Sequence, residues 1–141
     1  MTAGRASFTE LEALGRDGLV GLLGIEFPDL AADPLVGTMR AEPRVMAPNG
    51  FLHGGAVVAF ADTVCGYACW RGLPDDATGF ATVDLSASFV GTARDGGLSC
   101  TATRLHAGRS TEVWDARVDD EAGRAIAHFR CTQMILRAPA R

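Results

Sequence analysis

Residues 49–70 read NGFLHGGAVVAFADTVCGYACW. An apolar run opens on Gly54 and Gly55 behind His53, and its only charged side chain is Asp62 near the middle. The length and composition predict a buried helix over about residues 54–70. The run is short for a bilayer span and has an acid at its centre, so a core helix fits better than a membrane helix. A lone carboxylate in such surroundings is destabilised in its charged form unless hydrogen bonds or a partner charge offset the loss of water. Asp62 is therefore a candidate functional acid. The plainer alternative is a carboxylate that only bonds a backbone group or an Arg from a strand.

His53-Gly54-Gly55 supplies the other half of the chemistry. The first N–H groups of a helix have no acceptor within it, and the helix dipole is positive at that end. Glycine lets a ligand come close, so an amide there can hold the oxygen of a polarised carbonyl. A lone HGG would more simply make the bend into the helix; next to a buried acid it reads as part of a site. Gly54 and Asp62 are eight residues apart, which separates their Cα atoms by about 12 Å on one helix. One carbonyl and its attacking water cannot be served by both groups of the same helix. The acid is then expected from a neighbouring subunit, in a homo-oligomer with its sites at the interface.

The rest of the chain narrows the class. With 141 residues, 48% of them hydrophobic, it reads as one domain over 1–141 with 1–7 and 138–141 as flexible ends. A formal charge of −4 and no basic arm argue against nucleic acid or an anionic membrane as partner. All 13 basic residues are Arg, which excludes lysine Schiff-base chemistry and a P-loop lysine. Cysteines stand at 65, 69, 100 and 131, and MTAGRASFTELEALG holds no apolar signal core, so a reducing, cytoplasmic setting is expected. Cys65 and Cys69 lack zinc spacing, and no metal is expected. Cys65 with His106 or His128 as a thiol nucleophile is a weaker possibility, since nothing in the sequence places either His beside it.

Ser7-Phe-Thr-Glu10 has the form of a capping box and predicts an amphipathic helix near residues 8–22. Gly24 to Glu42 reads as a β-hairpin, and Arg44 to Leu52 as a loop. GFATVDLSASFV alternates, with Ala81, Val83, Leu85, Ala87 and Phe89 on one face and Thr82, Asp84, Ser86 and Ser88 on the other. LSCTATRLH, STEVWDARVDD and RAIAHFRCTQMILR follow as strands joined by turns at 107–110 and 119–123. The expected class is α+β: an antiparallel sheet curled around the long helix. Its other face, carrying Thr82, Ser86, Thr101, Thr103 and Arg104, would be solvated or covered by a second subunit.

HGG followed by ADT in a long apolar helix, then TVDLSASFV and the HAGRS turn, resembles the hotdog-fold acyl-CoA thioesterases of the phenylacetate-degradation (PaaI-like) type, relatives of one 4-hydroxybenzoyl-CoA thioesterase class. The similarity runs from about Gly24 to Leu136. It implies a homodimer assembling into a homotetramer, an acyl-CoA substrate that brings its own CoA, and no separate cofactor. It also implies that the Gly54 amide polarises the thioester carbonyl, that Asp62 of the opposite subunit is nucleophile or general base, and that Thr82 assists the acid or the water. Arg109 in HAGRS matches a basic turn near the CoA phosphates. His53, Gly55, Asn49 and Thr63 fall on the substrate side, with His53 bracing the helix start and Thr63 bonding back to the helix. Where the type often carries Asn or Gln, six residues before His53, this chain has Ala47. A hotdog hydratase or dehydratase, whose relatives add a catalytic His, has no H-x-D sequence to support it. A non-catalytic acyl-CoA-binding module is the alternative of a different class.

Overall fold

The computed structural model describes residues 5–141. Its elements are α1 (Phe8–Arg16), α2 (Leu19–Leu23), β1 (Leu35–Arg40), α3 (Gly54–Arg71), β2 (Ala77–Phe89), β3 (Gly97–Ala107), β4 (Thr111–Asp119) and β5 (Ala125–Arg137). The strands form one antiparallel sheet in the order β1-β3-β4-β5-β2. The α+β expectation holds, with the sheet curled around α3. Phe60, Val64, Cys65 and Cys69 of that helix are fully buried against Leu35, Met39, Leu98, Val118 and Ile126. Apolar burial on this scale, about 25 cal/mol per Å², is what holds sheet to helix.

Local signals explain most of the element ends. Ser7 accepts from the Glu10 amide and the Glu10 carboxylate accepts from the Ser7 amide, so the capping box forms as the sequence predicts. The helix expected over 8–22 is instead two. Asp17 ends α1, and Gly18, in extended backbone, caps the start of α2. Gly24, at φ 68°, then terminates α2 in the left-handed region where glycine is favoured. The hairpin expected over 24–42 is only half a hairpin. Residues near Glu26 meet β1 through one bridge, Glu26 to Thr38, because Pro28 and the turn after it end the first leg.

The strand β2 departs most from simple alternation. Its register against β5 slips between Thr82 and Asp84, so Val83 is the extra residue of a bulge. Before the bulge Thr82 lies opposite Gln133, and after it Leu85 and Ala87 lie opposite Cys131 and Phe129, all three of which are buried. Thr82 therefore shares the inner face with Leu85 and Ala87, and the expected two-faced pattern over 81–89 is corrected. Arg104 also turns inward: it pairs with buried Trp114, stacks on its ring at 5.8 Å and reaches Glu112. Of the residues expected on the outer face, Ser86, Thr101 and Thr103 keep that position.

No helix among the described residues is long and apolar enough to cross a membrane. Phe60 has no exposed surface at the centre of α3. Its replacement by Ala is expected to lower the unfolding free energy by about 3–5 kcal/mol, read from urea denaturation with the slope unchanged.

Candidate active site

The start of α3 is built by His53. Its Nδ1 accepts from the Gly55 amide at 2.9 Å, and its carbonyl accepts from the amides of Ala56 and Val57. A ring that accepts at Nδ1 carries its proton at Nε2 when neutral. The Gly55 amide is therefore used inside the protein, and His53 caps the helix, as its bracing role requires. The Gly54 amide has no acceptor among the described residues. A Cβ placed on Gly54 would lie 3.2 Å from the Phe89 ring, so glycine leaves the amide approachable where a side chain would crowd it.

Asp62 lies two turns further along, half-buried. Its Oδ1 accepts from the Thr82 hydroxyl at 2.9 Å. Burial pushes the carboxyl above the ordinary Asp range, and the Thr82 hydrogen bond partly opposes that shift. The bulge at Val83 is what aims Thr82 at the helix. On the other side of Thr82 stands Gln133, fully buried, with Oε1 at 2.9 Å from the same hydroxyl. Gln133 was not singled out from sequence. The available signal was its place in RAIAHFRCTQMILR, where it is the polar member of an inward row of Ala127, Phe129, Cys131 and Ile135.

The other expected site residues are spread more widely. Asn49 Oδ1 accepts from the Phe51 amide at 3.1 Å, which makes it a turn residue in the loop before the helix. The Thr63 hydroxyl donates to the Ala59 carbonyl at 2.7 Å, the back-bond that its helical position favours. Arg109 is exposed in the β3–β4 turn, and its carbonyl accepts from Arg137 at 2.7 Å. That turn lies at the end of the sheet away from the Gly54 amide. Ala47 offers no side-chain polar group, and its backbone is tied to Phe51. Within one chain, then, Asp62, Thr82 and Gln133 converge, His53, Gly54 and Gly55 form a second cluster, and Asn49 and Arg109 stand apart.

The thiols do not form a competing site. All four cysteines are buried and free, and burial raises the thiols of Cys69 and Cys100, while Cys65 is raised first by its hydrogen bond with Cys131. His106 and His128 are exposed, away from the buried Cys65. Among the described residues no three His, Cys, Asp or Glu side chains are grouped to hold a metal ion.

The family model of the thioesterase superfamily matches residues 49–127, the span from the loop before His53 into β5. The chain belongs to the thioesterase superfamily. As a member it is a thioester hydrolase of the hotdog fold, with a PaaI-like helix and sheet. It is 36% identical over 129 residues to the 1,4-dihydroxy-2-naphthoyl-CoA hydrolase of Escherichia coli K12, covering 89% of this chain and 92% of that one. A substituted form of thioesterase PA1618 from Pseudomonas aeruginosa superposes with a TM-score of 0.86 at 28% identity, over 94% of this chain and 96% of that one. The E. coli PaaI protein of the phenylacetic acid degradation operon shares the fold at a TM-score of 0.78 and 24% identity, over 94% of each chain.

A carboxyl whose proton is held more tightly in the folded state is a source of instability once it ionises. Stability is lost as pH rises from the ordinary Asp range through the raised folded value, and stays lost above it. Asp62→Asn, which can still accept from Thr82, is therefore expected to melt at a higher temperature than the wild type at pH 7. The difference should shrink on acidification toward pH 4, as followed by circular dichroism.

Proposed function

We propose that the protein hydrolyses an acyl- or aryl-CoA thioester to a carboxylic acid and free CoA, in a homodimer whose sites each combine Gly54 of one protomer with Asp62 of the other. The observation that carries this reading is the pairing on one helix of a free N-terminal amide and a half-buried acid held by Thr82. These are the electrophilic and basic halves of an acyl-transfer site, too far apart to act on one carbonyl from a single chain. The Gly54 amide, at the positive end of the helix, takes the thioester oxygen and gains strength as negative charge develops there. Asp62 either removes a proton from the attacking water or attacks the carbonyl carbon to form a mixed anhydride that water then opens. In both routes the C–S bond breaks and CoA leaves as the thiolate. Neither route calls for a metal or redox cofactor.

The free edge of β2 supports the two-protomer arrangement. This 13-residue edge strand exposes Val83 by 51%, Leu85 by 41% and Phe89 by 51%, an apolar edge of the kind that a second copy covers. A further pairing of such dimers into a homotetramer belongs to the same reading, as does a reducing, cytoplasmic setting for four free thiols. Phe89 against Gly54 puts an aromatic ring beside the expected carbonyl position, and the E. coli relative is named for an aryl-CoA. Aryl thioesters are thus the first substrates to try. Arg109 is assigned to the CoA phosphates and the Asn49 side-chain amide to the loop over the acyl group, the position where Ala47 contributes nothing.

Thiol release should be followed across benzoyl-, phenylacetyl-, naphthoyl-, short- and medium-chain acyl-CoAs. Wild type is expected to turn over at least one of them, and Asp62→Asn to lose about a hundredfold or more in kcat, as the removal of a group acting in the transition state requires. Binding without turnover by wild type would overturn the hydrolase reading in favour of a binding module. The shared site has its own check. Gly54→Pro removes the amide donor at a position where proline suits a helix start, and it should be inactive alone. Refolded with inactive Asp62→Asn, it should recover about a quarter of wild-type activity, because half the dimers are hybrids with one intact site. No recovery would place both groups in separate roles.

A further inference from the structure

The Thr82 hydroxyl lies 2.9 Å from Asp62 Oδ1 and 2.9 Å from Gln133 Oε1. A hydroxyl has one proton to give, whereas a carboxylate oxygen and an amide oxygen only accept. Thr82 cannot donate to both. Two arrangements satisfy every atom. With Asp62 ionised, the Gln133 amide is turned end for end, an exchange of Nε2 and Oε1 that leaves its shape unchanged. Nε2 then donates to Thr82, Thr82 donates to Asp62, and Oε1 accepts from the thiol of Cys131, whose Sγ lies 3.4 Å from that end of the amide. With Asp62 protonated, the carboxyl donates to Thr82 and Thr82 donates to Gln133 Oε1. The direction of the chain and the charge on Asp62 are thus tied to one another through the Gln133 amide.

We propose that Gln133 is a positioning residue for the hydrolysis: its side-chain amide donates to the Thr82 hydroxyl and so commits that hydroxyl's proton to the Asp62 carboxylate. Three features support this beyond the two distances. Gln133 has no exposed surface, and a buried amide is retained against its desolvation only where its hydrogen bonds are made. It is the register partner of Thr82 on β2, so the contact is fixed by the strand ladder. And the Thr82 side chain is turned to meet it by a bulge that interrupts the pattern of β2.

The titratable groups around this chain of bonds are few. On α3 there is Cys65, one turn from Asp62 and hydrogen-bonded to Cys131. On β5 there is Cys131 itself. On β4, Glu112 is the register partner of Gln133, but its carboxylate accepts from Trp114 Nε1 at 2.8 Å and faces Arg104 of β3 at 3.5 Å. Asp84 of β2 pairs with Thr132 beyond the bulge and is exposed. The inward residues of β1, Leu35, Gly37 and Met39, do not titrate. Among the described residues no cation faces Asp62, so the hydroxyl that Gln133 orients is its chief stabilising contact.

This inference rests on Asp62 being the catalytic carboxylate, and its test reads Asp62 directly. The Asp62 side-chain carboxyl would be titrated by ¹³C NMR, alongside pH profiles of acyl-CoA hydrolysis, in wild type, Gln133→Leu, Gln133→Glu, Thr82→Val and the Thr82→Val/Gln133→Leu double variant. Gln133→Leu is expected to lower kcat by about threefold to tenfold, the worth of the neutral hydrogen bond that holds the Thr82 hydroxyl in its direction, with KM little changed. The Asp62 midpoint and the acid limb of the profile should both move to higher pH. Gln133→Glu, which once ionised offers Thr82 an acceptor in place of a donor, should move them further. In the Thr82→Val background, adding Gln133→Leu should change kcat by less than about twofold, because the link is already cut. Additive losses with an unmoved Asp62 midpoint would assign Gln133 to packing alone and overturn the proposal. If Gln133→Leu fails to fold, Gln133→Met, which keeps the length without the donor, carries the same comparison. Full activity of Asp62→Asn would instead remove the catalytic reading of Asp62, while the midpoint would still report whether Gln133 acts on it.

Discussion

A helix with no polar face has to be enclosed, and α3 is such a helix. From Val57 to Cys69 most of its side chains are buried, so the sheet must curl until it covers them. The order of the strands meets that requirement. Strand β1, which precedes the helix, and β2, which follows it, become the two edges, and β3, β4 and β5 close the concave face between them. The same order sets where water can reach the helix: at its start, where Gly54 begins, and along the side that faces the free edge of β2. Both halves of the proposed chemistry lie at those openings. A buried helix would otherwise hold Asp62 and the Gly54 amide out of reach of any substrate.

The bulge in β2 joins the fold to the site. An unbroken strand would keep Thr82 on the face opposite Leu85 and Ala87, turned away from α3, and Asp62 would have no hydroxyl to hold it. One extra residue, Val83, reverses the facing of everything before it. The strand keeps its apolar inner row beyond the bulge and delivers a polar side chain before it. Gln133 on β5 and Glu112 on β4 continue that polar row across the sheet, so the departure from alternation in β2 is matched by polar residues in its neighbours.

Much of this was legible in the sequence because it depends on local rules. The long apolar helix, its glycine start, the capping box of α1 and the run of strands after Gly79 all follow from composition and period. Asp62 stood out because one charge among apolar residues has few explanations. What was not legible depends on register. Alternation over 81–89 suggested two clean faces, and nothing in the letters marks Val83 as the inserted residue, since bulges are set by the partner strand. Gln133 and Arg104 were missed for the same reason: their inward facing comes from pairing with Thr82 and Trp114 across the sheet. The break in the N-terminal helix at Gly18, by contrast, was visible as glycine and was outweighed by the recurrence of leucines on either side.

Two carboxylates are held inside this sheet, and their surroundings separate their roles. Glu112, only 4% exposed, is bound by the Trp114 indole and faced by the Arg104 guanidinium. A carboxylate compensated in this way ties β3 and β4 together over the end of α3, and each of its oxygens faces a donor. Among the described residues Asp62 is met by a hydroxyl alone, with no cation near it. A guanidinium in place of Thr82 would stabilise the carboxylate so well that it would be a poor base and a poor nucleophile. A neutral donor fixes its direction while leaving its charge uncompensated and its basicity raised by burial. The arginine thus stands over the acid that braces the sheet, and the acid proposed for the chemistry has a hydroxyl alone to aim it.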